Sequence, residues 1–138
     1  MSGGYGSVGR GPLRLTEQQL TRGRVLLREC LERCNGMYAV MLTTVDGNPV
    51  VDELTRDLPC SKLSTMTSSL LALSETIARE SQQRLCRFVI LENSDGRVVC
   101  LRVNQLLMLT CISSKDSNLG MVLNAGQTTA QELAKLVG

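Results

Sequence analysis

Between residues 86 and 112 the chain carries three apolar stretches with almost nothing between them. Cys86 to Glu92 is followed by Asn93-Ser94-Asp95-Gly96, Arg97 to Val103 by Asn104-Gln105, and Leu106 to Ile112 completes the set. Each stretch has the length and residue types of a strand. Connections this short force consecutive strands to run antiparallel. Val99, Leu101 and Val103 alternate with Val98 and Cys100, and Leu107 and Leu109 alternate with Leu106 and Met108. Both faces of the resulting sheet are therefore apolar, and it needs cover on both sides.

An earlier pair extends the sheet. Tyr38 to Val45 is apolar and β-branched, Asp46-Gly47-Asn48 turns the chain, and Pro49 to Leu54 returns. Asp-Gly between two such runs is a strong hairpin signal. Three helical segments supply the cover. Thr16 to Cys34 opens with a capping box, Thr16 and Gln19, shares a face among Leu20, Leu27, Leu31 and Cys34, and ends at Asn35-Gly36. The last, Asn118 to Val137, has Asn118 as its cap; Gly126 weakens its middle, and Thr129 to Glu132 could restart it after a kink.

The middle helix, Ser61 to about Arg84, is the centre of the design. It holds no Pro or Gly, and Ser61 can cap it. Leu63, Met66, Leu70, Leu73 and Ile77 recur at helical spacing and are expected to pack on the domain's own sheet. Beside them runs a stripe of smaller residues, Thr67, Leu71, Ser74 and Ala78. This stripe either faces water or lets a second helix approach closely. The order is thus α-β-β-α-β-β-β-α: an α/β (α+β) chain with a five-stranded antiparallel sheet between helices. Residues 1–13, rich in Gly and Ser, read as a disordered tail, and 14–138 as a single domain.

Composition narrows the chemistry. The chain has no His, so a Ser-His or Cys-His dyad is excluded. Phosphate-loop and dinucleotide fingerprints are absent, and Asp52 and Glu53, adjacent on a strand, point to opposite faces. No catalytic, cofactor-binding or metal residues are expected, and no cofactor. Cys60, just before a helix N-terminus, leaves a thiol redox role formally open. The six cysteines include no CxxC pair, and those in apolar runs read as core residues of a thiol-reduced, cytoplasmic protein. A net charge of +2 and only three aromatics, Tyr5, Tyr38 and Phe88, argue against nucleic acid. No apolar run reaches the length of about 18 residues that a membrane span needs, and the N-terminus lacks the apolar segment of a signal peptide. Arg22, Arg24, Arg28 and Arg33 on the first helix are expected to be a solvated face, or else a surface for an acidic partner.

The stretch Tyr38-Ala-Val-Met-Leu-Thr-Thr-Val-Asp-Gly-Asn-Pro-Val-Val-Asp52, the helix of leucines and small residues from Ser61, the Asn-Ser-Asp-Gly turn at 93–96 and Asp116-Ser-Asn-Leu-Gly120, taken in order, resemble the Roadblock family. That family includes dynein light chains and bacterial regulators of small Ras-like GTPases. The resemblance covers about Thr16 to Val137. The Gly-rich tail and Gly126 depart from it. It implies a profilin-like sandwich that dimerises through the strand after the middle helix and through the middle helices themselves. Here that interface is expected from Thr67, Leu71, Ser74 and Ala78 on the helix and Arg87, Val89 and Leu91 on the strand. It also implies a non-catalytic homodimer that binds a small Ras-like GTPase, by activation or as a scaffold. A small-molecule-sensing regulatory domain is the alternative, and it requires polar groups converging on an apolar cavity.

Overall fold

The computed structural model describes residues 13–138. Residues 1–12 of the Gly-rich tail lie outside the described residues, whereas Leu13 is buried in the core. The elements are α1 (Glu17–Arg33), β1 (Met37–Thr44), β2 (Pro49–Leu54), α2 (Cys60–Glu80), β3 (Val89–Asn93), β4 (Gly96–Arg102), β5 (Leu107–Ser114) and α3 (Leu119–Val137). The strands form one five-stranded sheet in the order β2-β1-β5-β4-β3, antiparallel throughout. Among the described residues β3 pairs only with β4, at an edge of the sheet rather than its interior.

Helices α1 and α3 lie together on one face and enclose the larger core. Leu20, Leu26, Leu27 and Cys30 of α1 and Val122, Ala125 and Leu133 of α3 meet Val40, Leu42, Val99, Leu101 and Leu109 of the sheet. The capping box at the start of α1 forms as expected. The Gln19 amide donates to the Thr16 hydroxyl at 3.0 Å, and the Thr16 amide to the Gln19 side chain at 2.8 Å. Asn118 caps α3 by accepting from the Met121 amide at 3.1 Å. Helix α3 runs unbroken through Gly126, so no restart at Thr129 is needed. The reason for the glycine is contact: a Cβ there would stand 3.3 Å from the Cys111 sulfur, so glycine lets α3 lie close on β5.

Helix α2 covers the opposite face over a smaller cluster, Leu71, Val89, Cys100 and Met108. Its orientation reverses the expected one. The small stripe is inward: Thr67, Leu71 and Ala78 are buried against the sheet, with Ser64 beside them and Ser74 half-buried. Met66, Leu73 and Ile77 point outward, and Leu63 and Leu70 lie at the boundary. Thus Leu71 is 2% exposed and Leu73 59%. Backbone self-satisfaction makes this possible. The Ser64 hydroxyl donates to the Cys60 carbonyl at 2.7 Å and Thr67 to the Leu63 carbonyl at 2.8 Å. Each buried hydroxyl is satisfied within its own helix, so it avoids the desolvation penalty of an unpaired group. Small side chains then bring the helix axis close to the sheet. Gly47, at φ +97° in the β1–β2 turn, sits so near α2 that an added Cβ would be 3.2 Å from the Thr65 Cα.

Helix α2 also ends four residues earlier than expected. The Gln83 amide donates to the Ala78 carbonyl at 2.7 Å and the Gln82 amide to the Arg79 carbonyl at 3.0 Å, with Gln82 at φ +60°. This is the Schellman closure, with glutamine where glycine is usual. The expected start of β3 at Cys86 is likewise replaced by irregular chain up to Phe88.

The inverted face gives a direct test. Leu71→Asp places an unpaired charge in the small core and should destabilise the domain by about 3 kcal/mol or more. Leu73→Asp, two positions along the same helix, should cost less than about 0.5 kcal/mol in the isolated protomer. Denaturant unfolding of the two variants checks the orientation; equal losses would contradict it.

Candidate interaction surface

The outward side of α2 is unusual in what it lacks. Residues 63–74, over three turns, contain no charged side chain. Met66 and Ile77 are 58% and 56% exposed, in line with Leu73 between them. An exposed apolar stripe of this regularity makes this face a candidate contact surface. Next to it, β3 presents an open edge. Val89, Ile90 and Leu91 are apolar, and no Pro, Lys or bulge protects the strand. Leu91 projects from the same face of the sheet as α2, opposite Val98 of β4, and Ile90 from the other face, opposite Val99. Helix stripe and strand edge therefore form neighbouring parts of one surface.

The residues expected at an interface from the sequence divide into two groups. Thr67, Leu71 and Ala78 are buried within the protomer, so they cannot present an outer face; the large stripe does so instead. Arg87 is exposed just before β3, Val89 begins the strand with its side chain inward, and Leu91 is exposed at the edge. Periodicity revealed both stripes of α2 but not which one turned inward. The signal that could have decided it was the hydroxyl content of the small stripe, which can be satisfied by the helix itself.

A charged clamp fixes α2 over the sheet. The Arg102 guanidinium donates from Nε to Glu75 Oε2 at 2.7 Å and from Nη2 to Oε1 at 2.8 Å, a bidentate pair. Its Nη1 donates to the carbonyls of Asn104 and Gln105 at 3.1 and 3.0 Å, joining the β4–β5 turn to α2. Hydrogen bonding from Arg102 holds the Glu75 carboxyl below its usual range, against the opposing effect of burial.

Between α2 and β3 the chain from Ser81 to Phe88 is irregular. The Leu85 amide donates to the Gln83 carbonyl at 2.9 Å, closing a three-residue turn centred on Arg84 at φ +70°. That conformation costs a non-glycine residue about 1–2 kcal/mol. No glycine or proline announces this loop in the sequence.

Other sequence candidates resolve differently. Burial raises the Cys60 thiol pKa and the Asp52 carboxylate adds to the effect, so the thiolate is disfavoured despite the nearby helix start. All six cysteines are free thiols, and burial pushes Cys100 up to about 11. Arg28 pairs with Glu53 and Arg33 with Glu132, each at 3.5 Å, so half of the α1 arginine set is engaged within the domain. Among the described residues no group of three potential ligands could hold a metal ion, and no helix is long and apolar enough to cross a membrane.

No protein-family model and no curated protein matches this sequence. Solved structures do match. An MglB in a tetrameric arrangement is 16% identical with a TM-score of 0.83, over 89% of this chain and 93% of that one. The gliding protein MglB from Thermus thermophilus is 15% identical with a TM-score of 0.82, over the same shares, 89% and 93%. A Roadblock/LC7 domain from Streptomyces avermitilis is 12% identical with a TM-score of 0.75, over 80% of this chain and 93% of that one. At these identities the likeness is one of fold, and it matches the element order and antiparallel sheet described above.

The clamp yields a pH test. Because the folded Glu75 pKa is depressed, its stabilisation is present above the unfolded value and is lost as pH falls through the lower folded value. Glu75→Gln should cost about 1 kcal/mol at neutral pH. The gap from wild type should close as pH is taken below the ordinary value of 4.5. Urea unfolding across that range checks it; a gap independent of pH would show that the ion pair contributes nothing.

Proposed function

We propose that this chain, which has the fold of Roadblock/LC7 domains, is a non-catalytic dimeric module that binds and regulates a small Ras-like GTPase. The observation that carries the reading is the uncharged outer stripe of α2 beside the open edge of β3. The edge offers unpaired amides and carbonyls, and an edge strand of a second copy supplies their partners about a two-fold axis. The same axis can lay one outer stripe on the other, with Met66, Leu70, Leu73 and Ile77 on each side. A continuous ten-stranded sheet across two copies, covered by a helix pair, satisfies both features at once. The interface thus uses the large stripe of α2 rather than the small one, together with the edge from Val89 to Leu91.

The partner class rests on the Roadblock resemblance in the Asp-Gly hairpin, the middle helix and the Asn-Leu-Gly segment at 118–120. An MglB in a tetrameric arrangement is consistent with assembly as a property of this fold. The role on the GTPase is activation or scaffolding, and this chain supplies a surface rather than a reacting group.

Leu73→Arg tests the reading, because it places two like charges near the axis while leaving the buried stripe untouched. The variant should remain folded by circular dichroism and run as a monomer in light scattering at concentrations where wild type is a dimer. It should also lose binding to the Ras-like GTPase encoded nearest this gene, loaded with a non-hydrolysable GTP analogue. A dimer of wild-type strength would contradict the interface, and a monomer with undiminished binding would contradict the dimeric platform.

A further inference from the structure

The irregular segment after α2 does more than connect. It forms one wall of a cavity of about 570 Å³, bounded by the C-terminal half of α2, the end of β4 and the outer side of α3. That volume lies within the range of small-molecule sites, about 300–1,000 Å³. The floor is apolar: Phe88, Leu101, Val103 and Ala130. The mouth is basic. Arg79, Arg84, Arg87 and Arg102 all line it, against one carboxylate, Glu75.

The charge balance there is not settled internally. Glu75 is taken by Arg102 through the bidentate pair. The Arg79 guanidinium donates to the Thr76 hydroxyl at 3.2 Å, and its charge also acts on Glu75, more weakly than Arg102 does. The side chains of Arg84 and Arg87 have no hydrogen bond or ion pair among the described residues. Two guanidinium groups, Arg84 and Arg87, therefore line one cavity without a counter-charge, and Arg79 shares the single Glu75 carboxylate with Arg102, in a chain whose net charge is only +2. Gln127 and Gln131 of α3 add amide donors on the opposite side. The backbone strain coincides with this site. Arg84 is the centre of the left-handed three-residue turn, a conformation that stays only where its surroundings impose it and that concentrates at functional positions.

We propose that this cavity binds a small amphipathic anion, with an apolar body on the Phe88–Leu101–Ala130 floor and a carboxylate, sulfonate or phosphate held by Arg84, Arg87 and Arg79. Polar groups converge here on an apolar cavity, the feature a small-molecule-sensing domain requires. The site is contained in one protomer and does not depend on the proposed dimer. Its position at the α2–β3 connection places a bound anion beside the strand that carries the open edge.

The probe is 8-anilinonaphthalene-1-sulfonate, an anion on an apolar body, with N-phenyl-1-naphthylamine as its uncharged counterpart. Fluorescence titration should show one saturable sulfonate site per chain. Arg84→Gln/Arg87→Gln should weaken it about tenfold or more, while binding of the uncharged probe changes by less than about twofold. Gln127→Glu, an exposed change on α3, should produce a similar loss by setting a like charge at the mouth. Leu73→Arg should leave the site intact. The proposal is overturned if sulfonate affinity is unchanged in both the arginine and Gln127→Glu variants, or if both probes weaken together. It is equally overturned if Leu73→Arg abolishes sulfonate binding, because the probe then sits on the outer stripe of α2.

Discussion

The close approach of α2 to the sheet shapes nearly everything on that side of the molecule. It depends on hydroxyls that bond to their own helix. Ser64 and Thr67 donate to carbonyls four residues back, so they can be buried without partners from the sheet. Their small size then allows the approach that Gly47 also requires from the turn side. A helix seated on larger residues would stand farther from the sheet and leave the same groups in voids.

That choice has a consequence for the other side. If the inward face is small and hydroxyl-rich, the large apolar residues of the same helix must face out. Met66, Leu73 and Ile77 accordingly form a regular, exposed apolar stripe. The small inner core, with four buried apolar members of which Val89 is still 9% exposed, agrees with a layer whose burial is incomplete in one protomer. The open edge of β3 lies beside this stripe, and the Arg102–Glu75 pair holds α2 in place over the end of β4. Under the proposed pairing, a second copy would bury the stripe and complete the layer.

Much of the architecture was legible in the residues. The short turns at 93–96 and 104–105, the Asp-Gly hairpin and the capping signals at Thr16 and Asn118 each act locally, and each produced the expected element. What was not legible depended on contacts between distant parts. Helical spacing identifies faces but not their direction, and residue size alone pointed the wrong way for α2. Gly126 reads as a helix breaker until Cys111 is seen beneath it. The loop from Ser81 to Phe88 is invisible because Gln82 and Arg84 take left-handed conformations normally signalled by glycine. The cavity it lines, with arginines from α2, the loop and β4, is assembled from positions 79 to 102 and closed by α3, so no local motif announces it.

Pairing of β3 with a second β3 is the claim on which the functional account rests, and amide hydrogen exchange reads it at the strand itself. The outward-pointing amides of β3 should exchange slowly at high protein concentration and quickly on dilution. Those on the outer edge of β2, the other boundary of the sheet, serve as an internal reference and should exchange at one rate throughout. Concentration-dependent protection confined to β3 is the predicted result. Outward amides of β3 that exchange as fast as those of β2 at every concentration would contradict the account.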